Sequence, residues 1–275
     1  MKGAAVKNQK MREHHKKTIE NLIKTIENDE RFPAIIVGGS IAKKRESEDA
    51  DVDIFLIATD EEFEKRKAEK NYRYVTDSPD ICVSPCKYVD GKVVNLDFLL
   101  DAAKRGSEPL RASFSGAFIA YSRIEGLEKI IKQIPVYPEN EQIEKMRSFY
   151  GLLSAFNWYV SEAEKRNDRY LLIRSAAELV LYGGRLILAY NKILYPYHKW
   201  FMYELKNAPR KPDNVVELAE RLLKCPSGDN GKLFFDCIMN YTEWEKIIGR
   251  LDPFDRFMDD VEWNWRCTRP SVQDL

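Results

Sequence analysis

Residues 37–58 read VGGSIAKKRESEDADVDIFLIA. An apolar run ends here in two glycines and a serine, a charged stretch follows, and Asp51 and Asp53 stand at the head of a second apolar run. Side chains at positions i and i+2 share one face of a strand. Two carboxylates on one face repel each other unless a cation joins them or one takes up a proton. The stretch therefore predicts two strands linked through a glycine turn, with an acidic pair where the second strand begins.

The acidic pair has the chemistry of a magnesium site. Mg²⁺ prefers oxygen ligands and is commonly held by one or two protein carboxylates together with substrate phosphates. Two such ions, bridged by Asp51 and Asp53, could clamp the attacking and leaving oxygens of a nucleotidyl transfer. A third carboxylate is expected from a neighbouring strand, and Asp97 stands in the apolar run KVVNLDFLL, where an unpartnered charge is costly to bury. We predict that Asp97 is that third carboxylate.

The glycine turn predicts a phosphate-binding site. Gly38 and Gly39 let the backbone approach a ligand closely because they carry no Cβ atom. Ser40 is expected to begin a helix, whose free N–H groups can bind phosphate. Lys43 follows one turn later, within reach of a triphosphate. We predict these four residues as nucleotide-binding residues.

The stretch GGSIAKKRESEDADVDIFL, residues 38–56, resembles the signature of the DNA polymerase beta-type nucleotidyltransferase superfamily. That signature has Gly-Ser, a spacer, Asp-x-Asp and a further carboxylate downstream. A strand–helix–strand frame followed by a helical C-terminal domain is similar to the small antibiotic-modifying members, the aminoglycoside and lincosamide nucleotidyltransferases. Two departures are visible: Lys44 stands where a glycine is common, and Ala50 where a serine is common.

The resemblance implies roles for these residues. Gly39 and Ser40 would hold a triphosphate, Asp51 and Asp53 would bind the metal ions, and Asp97 would be the third metal ligand or the general base. The implied reaction transfers a nucleoside monophosphate, AMP from ATP, to a hydroxyl of a small acceptor such as an aminoglycoside or lincosamide antibiotic and releases pyrophosphate. The implied cofactors are two Mg²⁺ ions, and the co-substrate is ATP or another nucleoside triphosphate.

The layout of the chain predicts the α+β class. Apolar strand patterns, a polar helix after Thr59 and a hairpin turning at Asp90-Gly91 indicate a mixed-sheet nucleotidyltransferase domain over residues 1–138. Long apolar-periodic segments without strand alternation then predict an all-helical, acceptor-binding domain over residues 139–275.

Composition argues against several classes of function. Lys+Arg and Asp+Glu are equal at 44 each, so no net charge attracts the chain to nucleic acid or anionic membrane. The charged N-terminus lacks the apolar core of a signal peptide, which favours a cytoplasmic location. Five scattered cysteines do not suggest a disulfide framework, and Cys82 and Cys86 lack a second metal-binding pair. His14 and His15 are expected to be surface residues.

Three features of the helical half invite interpretation. Glu178 is more simply explained by an ion pair with Arg174 or Arg185, which lie near its face of the helix, than by acceptor binding. The aromatic stretch NKILYPYHKW, residues 191–200, suits either a nucleotide or sugar pocket or the cap of a core, and Lys199 is its best candidate for a phosphate contact. The tryptophans of DDVEWNWRC, Trp263 and Trp265, are expected to pack on the first domain or on a partner in a homodimer.

Two other functions fit the same sequence. One is a nucleotidyltransferase that modifies a protein or an RNA, as in a toxin–antitoxin pair; the balanced charge disfavours RNA but not protein. The other is a nucleotide-binding sensor without catalysis, which the apparent retention of three carboxylates disfavours.

Overall fold

The computed structural model describes residues 11–268, and the chain divides into two compact units between Val136 and Tyr137. The first is a mixed sheet covered by helices and the second consists of helices. The predicted α+β class, a mixed-sheet domain followed by an all-helical one, is therefore confirmed. Within residues 11–268 no helix combines the length and apolarity needed to cross a membrane.

The first unit is built on a five-stranded sheet with the order β3-β4-β2-β1-β5. Strands β2 and β4 run parallel, and the other three neighbouring pairs are antiparallel. The strands are β1 (Ala34–Val37), β2 (Val52–Ile57), β3 (Arg73–Thr76), β4 (Val89–Val94) and β5 (Phe118–Ser122).

Helices cover both faces of this sheet. The helices are α1 (Glu13–Ile26), α2 (Gly39–Ala42), α3 (Asp60–Ala68), α4 (Leu96–Arg105), α5 (Glu108–Ser113) and α6 (Leu127–Gln133). All four side chains of β1 are buried because alternate residues face two separate cores. Ile35 packs in a core beneath α1, and Ile36 packs in a second core with Phe55 and Phe114. The continuous apolar run of β1 is thus explained by burial on both faces.

Two predictions about the segment that follows β3 are wrong. Asp90 and Gly91 do not form a hairpin turn, because both lie inside β4. A Cβ atom on Gly91 would lie 2.7 Å from Ile54 Cγ1, so the glycine serves close packing between strands. Asp97 is not on a strand either: it lies in the first turn of α4, which Asn95 caps by accepting a hydrogen bond from the Phe98 N–H at 3.0 Å.

The second unit is a set of helices around one large core. Its helices are α7 (Gln142–Lys165), α8 (Arg169–Tyr190), α9 (His198–Asn207), α10 (Val215–Lys224), α11 (Gly228–Met239), α12 (Trp244–Ile248) and α13 (Pro253–Phe257), with a π-helical turn at Met258–Glu262. Helix α8 packs closely on α9 because Gly184 has no side chain: a Cβ atom there would overlap the ring of Phe201. Tyr195 and Phe201 belong to this core.

Candidate functional site

Three carboxylates lie at the start of two adjacent parallel strands. Asp53 of β2 is in register with Asp90 of β4, so the two side chains project from the same face of the sheet. Neighbouring strands are about 4.8 Å apart, which makes these carboxylates direct neighbours. Asp51 precedes β2 by one residue and has the same parity as Asp53. The structure therefore groups Asp51, Asp53 and Asp90.

The pKa of the Tyr88 phenol responds to the negative charge at the start of β2 and β4. Tyr88 lies beside the start of β2, where its carbonyl accepts a hydrogen bond from the Val52 N–H at 3.2 Å. The nearby Asp51 carboxylate, above all other causes, raises the pKa of Tyr88, and the charges of Asp90 and Asp53 add to the effect. One side chain thus senses all three carboxylates, which is consistent with the grouping inferred from the strand register.

The glycine turn lies against Asp53. The Gly38 N–H donates to the Asp53 carbonyl at 2.9 Å, which joins the end of β1 to the start of β2. Gly39 has a φ of +62°, and a Cβ atom there would lie 1.8 Å from Asp53 Oδ2. Only glycine fits this position, because a side chain would overlap the carboxylate and the backbone lies in the left-handed region.

Helix α2 is a single turn, which changes the basis of the predicted phosphate site. Gly38 caps it and Gly39 is its first residue, so Ser40 is inside the turn rather than at its start. The first N–H groups of a helix have no acceptor within it, and here they belong to Gly39 and Ser40. A four-residue helix adds little dipole field, so any phosphate contact would depend on these N–H groups and on the Ser40 hydroxyl. Lys43 is the C-terminal cap of the same turn.

Asp97 is far from the other carboxylates, and its predicted place beside them is wrong. Val94 lies four positions beyond Asp90 along β4, about 13 Å of strand, and Asp97 lies three positions further on. Its side chain is exposed. Asn95, at the same end of the sheet, donates from Nδ2 to Asp60 Oδ1 at 2.8 Å. Asp97 therefore cannot join Asp51 and Asp53 around one ion.

The donor set fits a magnesium ion. All three side chains supply carboxylate oxygens, and Mg²⁺ commonly takes only one or two of these and completes its shell with substrate phosphates and water. Among residues 11–268 no group of three acidic, histidine or cysteine side chains lies close enough together to hold a metal ion without further ligands. The arrangement thus resembles a site finished by the phosphates of a ligand rather than a closed protein cage.

Two basic side chains lie near Asp90. Arg73 of β3 pairs with Asp90 at 3.4 Å between Nη2 and Oδ1, and both side chains are well exposed, so the pair contributes little to stability. Lys92 follows Asp90 on the same face of β4, and its Nζ lies 5.8 Å from the centroid of the Phe55 ring. These cations are positioned to attract a polyanion towards the acidic residues.

Two histidines of α1 hold the loop that leads to Asp51. His14 Nε2 bonds the Glu48 carbonyl at 2.8 Å, and His15 Nε2 bonds the Ala50 carbonyl at 3.0 Å. Because carbonyl oxygens only accept, both rings carry their proton on Nε2. The prediction that both are surface residues is wrong: His14 is half-buried and His15 is fully buried.

Burial, the main cause, lowers the pKa of His15 below its ordinary value, against smaller opposing effects of the Ala50 carbonyl and the Glu46 charge. The unfolded chain therefore binds more protons than the folded chain once the pH falls below about 6.5, and stability must fall with it. We expect the free energy of unfolding, measured by urea titration from about pH 8 to pH 5.5, to decline below about pH 6.5. The decline should be smaller in His15→Gln and should persist in His14→Gln. Equal declines in wild type and His15→Gln would refute this explanation.

Comparisons with known proteins support the fold. A solved structure of a nucleotidyltransferase-like protein from Exiguobacterium sibiricum 255-15 superposes with a TM-score of 0.50, covering 90% of this chain and 80% of that one at 13% sequence identity. The fold is nucleotidyltransferase-like. No family model matches the sequence, and no curated protein matches it. The likeness to a nucleotidyltransferase is therefore one of backbone architecture.

The second unit holds the remaining predicted residues. Arg174 Nε donates to Glu178 Oε1 at 2.9 Å, which confirms the predicted ion pair. Tyr195 is buried in the core, and its hydroxyl lies 3.1 Å from His198 Nδ1, so this tyrosine serves as a core cap. Lys199 is exposed in the first turn of α9.

The tryptophans near the C-terminal end of the described chain are exposed, with Trp263 at 49% and Trp265 at 63% of their surface accessible. Packing on the first domain or on a homodimer partner stays a prediction.

Proposed function

We propose that the protein is a magnesium-dependent nucleotidyltransferase whose acidic residues are Asp51, Asp53 and Asp90. The observation that carries the proposal is the register of β2 and β4, which sets Asp53 beside Asp90. Gly39 of the glycine turn lies against Asp53. Sequence alone suggested Asp97 in place of Asp90, and the proposal replaces it. The nucleotidyltransferase-like fold supports the same reaction class.

Each group of residues in the proposed site has its own role. The N–H groups of Gly39 and Ser40, the Ser40 hydroxyl and Lys43 bind the triphosphate. Mg²⁺ held at the carboxylates would neutralise charge on the phosphates and on the leaving pyrophosphate. The side chains hold the nucleotide so that the α-phosphorus faces an acceptor hydroxyl, and positioning supplies most of the rate.

The proposed reaction needs no reactant other than the nucleotide and the acceptor. The acceptor oxygen forms a bond to the α-phosphorus while the bond from that phosphorus to pyrophosphate breaks, and the hydroxyl proton passes to the Asp90 carboxylate. The products are a nucleotidylated acceptor and pyrophosphate. We propose AMP from ATP as the transferred group and a small hydroxylated molecule, such as an aminoglycoside or lincosamide, as the acceptor. The balanced charge of the chain supports a small acceptor over RNA.

The test is pyrophosphate release in the presence of Mg²⁺, with each of the four ribonucleoside triphosphates and a panel of aminoglycosides, lincosamides, proteins and RNA. Mass spectrometry of each acceptor then looks for the added nucleoside monophosphate, about 329 mass units for AMP. Asp53→Asn serves as the background. A release that requires the acceptor and disappears in Asp53→Asn supports the proposal. Tight nucleotide binding without release, from any triphosphate, would instead indicate the sensor.

A further inference from the structure

The second unit contains a pocket lined by α7, α13 and the π-helical turn that follows α13. Its volume is about 300 Å³, at the lower end of the range for small-molecule sites. Its walls include Trp158, Tyr159, Phe254, Phe257, Met258 and Glu262. We call this space the aromatic pocket. All of these residues belong to the second unit, whereas the proposed transferase site is built from residues of the first.

The rings of the aromatic pocket are set at steep angles to one another. The Tyr159 ring meets the Trp158 ring at 66°, with centroids 4.9 Å apart, and the Phe257 ring at 60°, with centroids 6.2 Å apart. Phe257 is buried, whereas Trp158 and Phe254 are 44% and 45% exposed. The pocket therefore has a buried aromatic floor and walls whose ring surface a ligand can reach, and covering that surface is favourable because each ring carries a large apolar area.

Glu262 supplies the charge of the aromatic pocket. Its side chain is exposed, so a ligand can reach it, and it forms no ion pair within residues 11–268. None of the described side chains that line the pocket is basic. Arg256 of α13 is bound elsewhere, to Asp260 at 2.7 Å and to Glu144 at 3.0 Å. A carboxylate therefore stands beside aromatic rings, whose faces also carry negative potential, and this combination is complementary to a cation.

We propose that the aromatic pocket binds a small, free methylated ammonium compound, with its cationic head against the Trp158 and Tyr159 rings and beside Glu262. A cation is attracted to the face of an aromatic ring within about 6 Å of its centroid. A methylated head also has no N–H groups, whereas a primary ammonium would lose hydrogen bonds to water that apolar walls cannot replace. A phosphate ester of the same cation is disfavoured because its negative charge would approach Glu262. The inference does not depend on the proposed transferase activity.

The experiment measures the dissociation constant of choline by ligand-observed NMR at constant ionic strength, with 3,3-dimethyl-1-butanol as the neutral isostere. We expect wild type to bind choline at least about fivefold more tightly than the alcohol, because only the cation gains from the ring faces and the carboxylate. Trp158→Ala should weaken choline binding about 5- to 30-fold, and Glu262→Gln about two- to fivefold, since this carboxylate is exposed. Trp265→Ala and Asp259→Asn change exposed residues that do not line the pocket and should bind like wild type.

Four outcomes would overturn the proposal. They are equal affinity for choline and the alcohol, equal choline affinity of wild type and either pocket variant, no choline binding by a folded wild type, and tighter binding of phosphocholine than of choline, which would indicate a lipid headgroup or another phosphate ester. Melting curves check folding, which both pocket variants should retain because they alter side chains at the surface. If Trp158→Ala fails to fold, Phe254→Ala on the opposite element decides the matter by its affinity for choline.

Discussion

Replacing Asp90 by Asn is expected to slow pyrophosphate release about 100- to 1,000-fold, while Asp97→Asn leaves the rate within about twofold. The reason is geometric: Asp90 is in register with Asp53, and Asp97 lies beyond the far end of β4 in α4. Both changes remove one negative charge and keep the shape of the side chain. A difference in rate between the two variants therefore reflects the position of the carboxylate alone. Asp51→Asn and Asp53→Asn should resemble Asp90→Asn.

Stability distinguishes lost catalysis from lost folding in this series. The three carboxylates repel one another, so Asp90→Asn should leave the melting temperature unchanged or slightly raised, since the exposed Arg73–Asp90 pair contributes little. An inactive and stable Asp90→Asn would support the proposed site. Full activity in Asp90→Asn together with loss in Asp97→Asn would show that the third carboxylate has been assigned to the wrong residue.

Gly39→Ala should remove activity and also destabilise the protein. The new Cβ atom would lie 1.8 Å from Asp53 Oδ2 and 2.7 Å from Asp53 Cβ, and the second atom cannot move without moving β2. The left-handed backbone adds about 1–2 kcal/mol for a non-glycine residue. We expect a total loss of about 2–4 kcal/mol in the free energy of unfolding, and a fall in rate of at least about 100-fold.

Gly126→Ala is the matched control for this change. Gly126 has a φ of +74°, close to that of Gly39, but no atom lies within 4 Å of its would-be Cβ. The control therefore carries the backbone cost alone, about 1–2 kcal/mol, and should keep its activity. If both variants lose the same stability and both stay active, the contact between Gly39 and Asp53 has no functional importance.

The strands of the site were predictable because their signals are local. The apolar run of β1, its glycine end and the Asp-x-Asp head of β2 depend only on neighbouring residues, and the structure keeps each of them in place. Capping chemistry worked equally well at Thr59, whose side chain accepts from the Glu62 N–H at the start of α3. In these segments the hydrophobic pattern and the local conformational propensity agree with the fold, so tertiary contacts do not change the structure that they predict.

The place of Asp90 beside Asp53 was not predicted from the sequence because it depends on strand pairing. Asp90-Gly91 between apolar residues is the usual signature of a hairpin turn, yet here Gly91 is selected by the Ile54 side chain of a strand far away in sequence. Asp97 between Leu96 and Phe98 has the pattern of a strand, and only the cap formed by Asn95 shows that a helix begins there. An Asn two residues before an Asp, ahead of an apolar run, was the available signal.

The burial of His15 is indicated by its helical spacing from the apolar residues of α1, although the surrounding composition is highly charged. The stretch REHHKK is highly charged, but His15 extends the spacing of Ile19, Leu22 and Ile26, which form the buried stripe of α1. The charged residues on either side of the two histidines give the segment the composition of an exposed surface. Burial of Glu46 had no comparable signal, because it follows from the path of a loop with no periodic pattern.

The two bonds from α1 to the Glu48 and Ala50 carbonyls have a consequence for dissecting the molecule. A shortened protein beginning at Phe32 would retain every strand, the glycine turn and all of the acidic residues. It would nevertheless release the connection before Asp51 from its only two described side-chain anchors in α1. The smallest fragment that keeps these two bonds must therefore start upstream of His14, although the proposed site takes no group from residues 11–34.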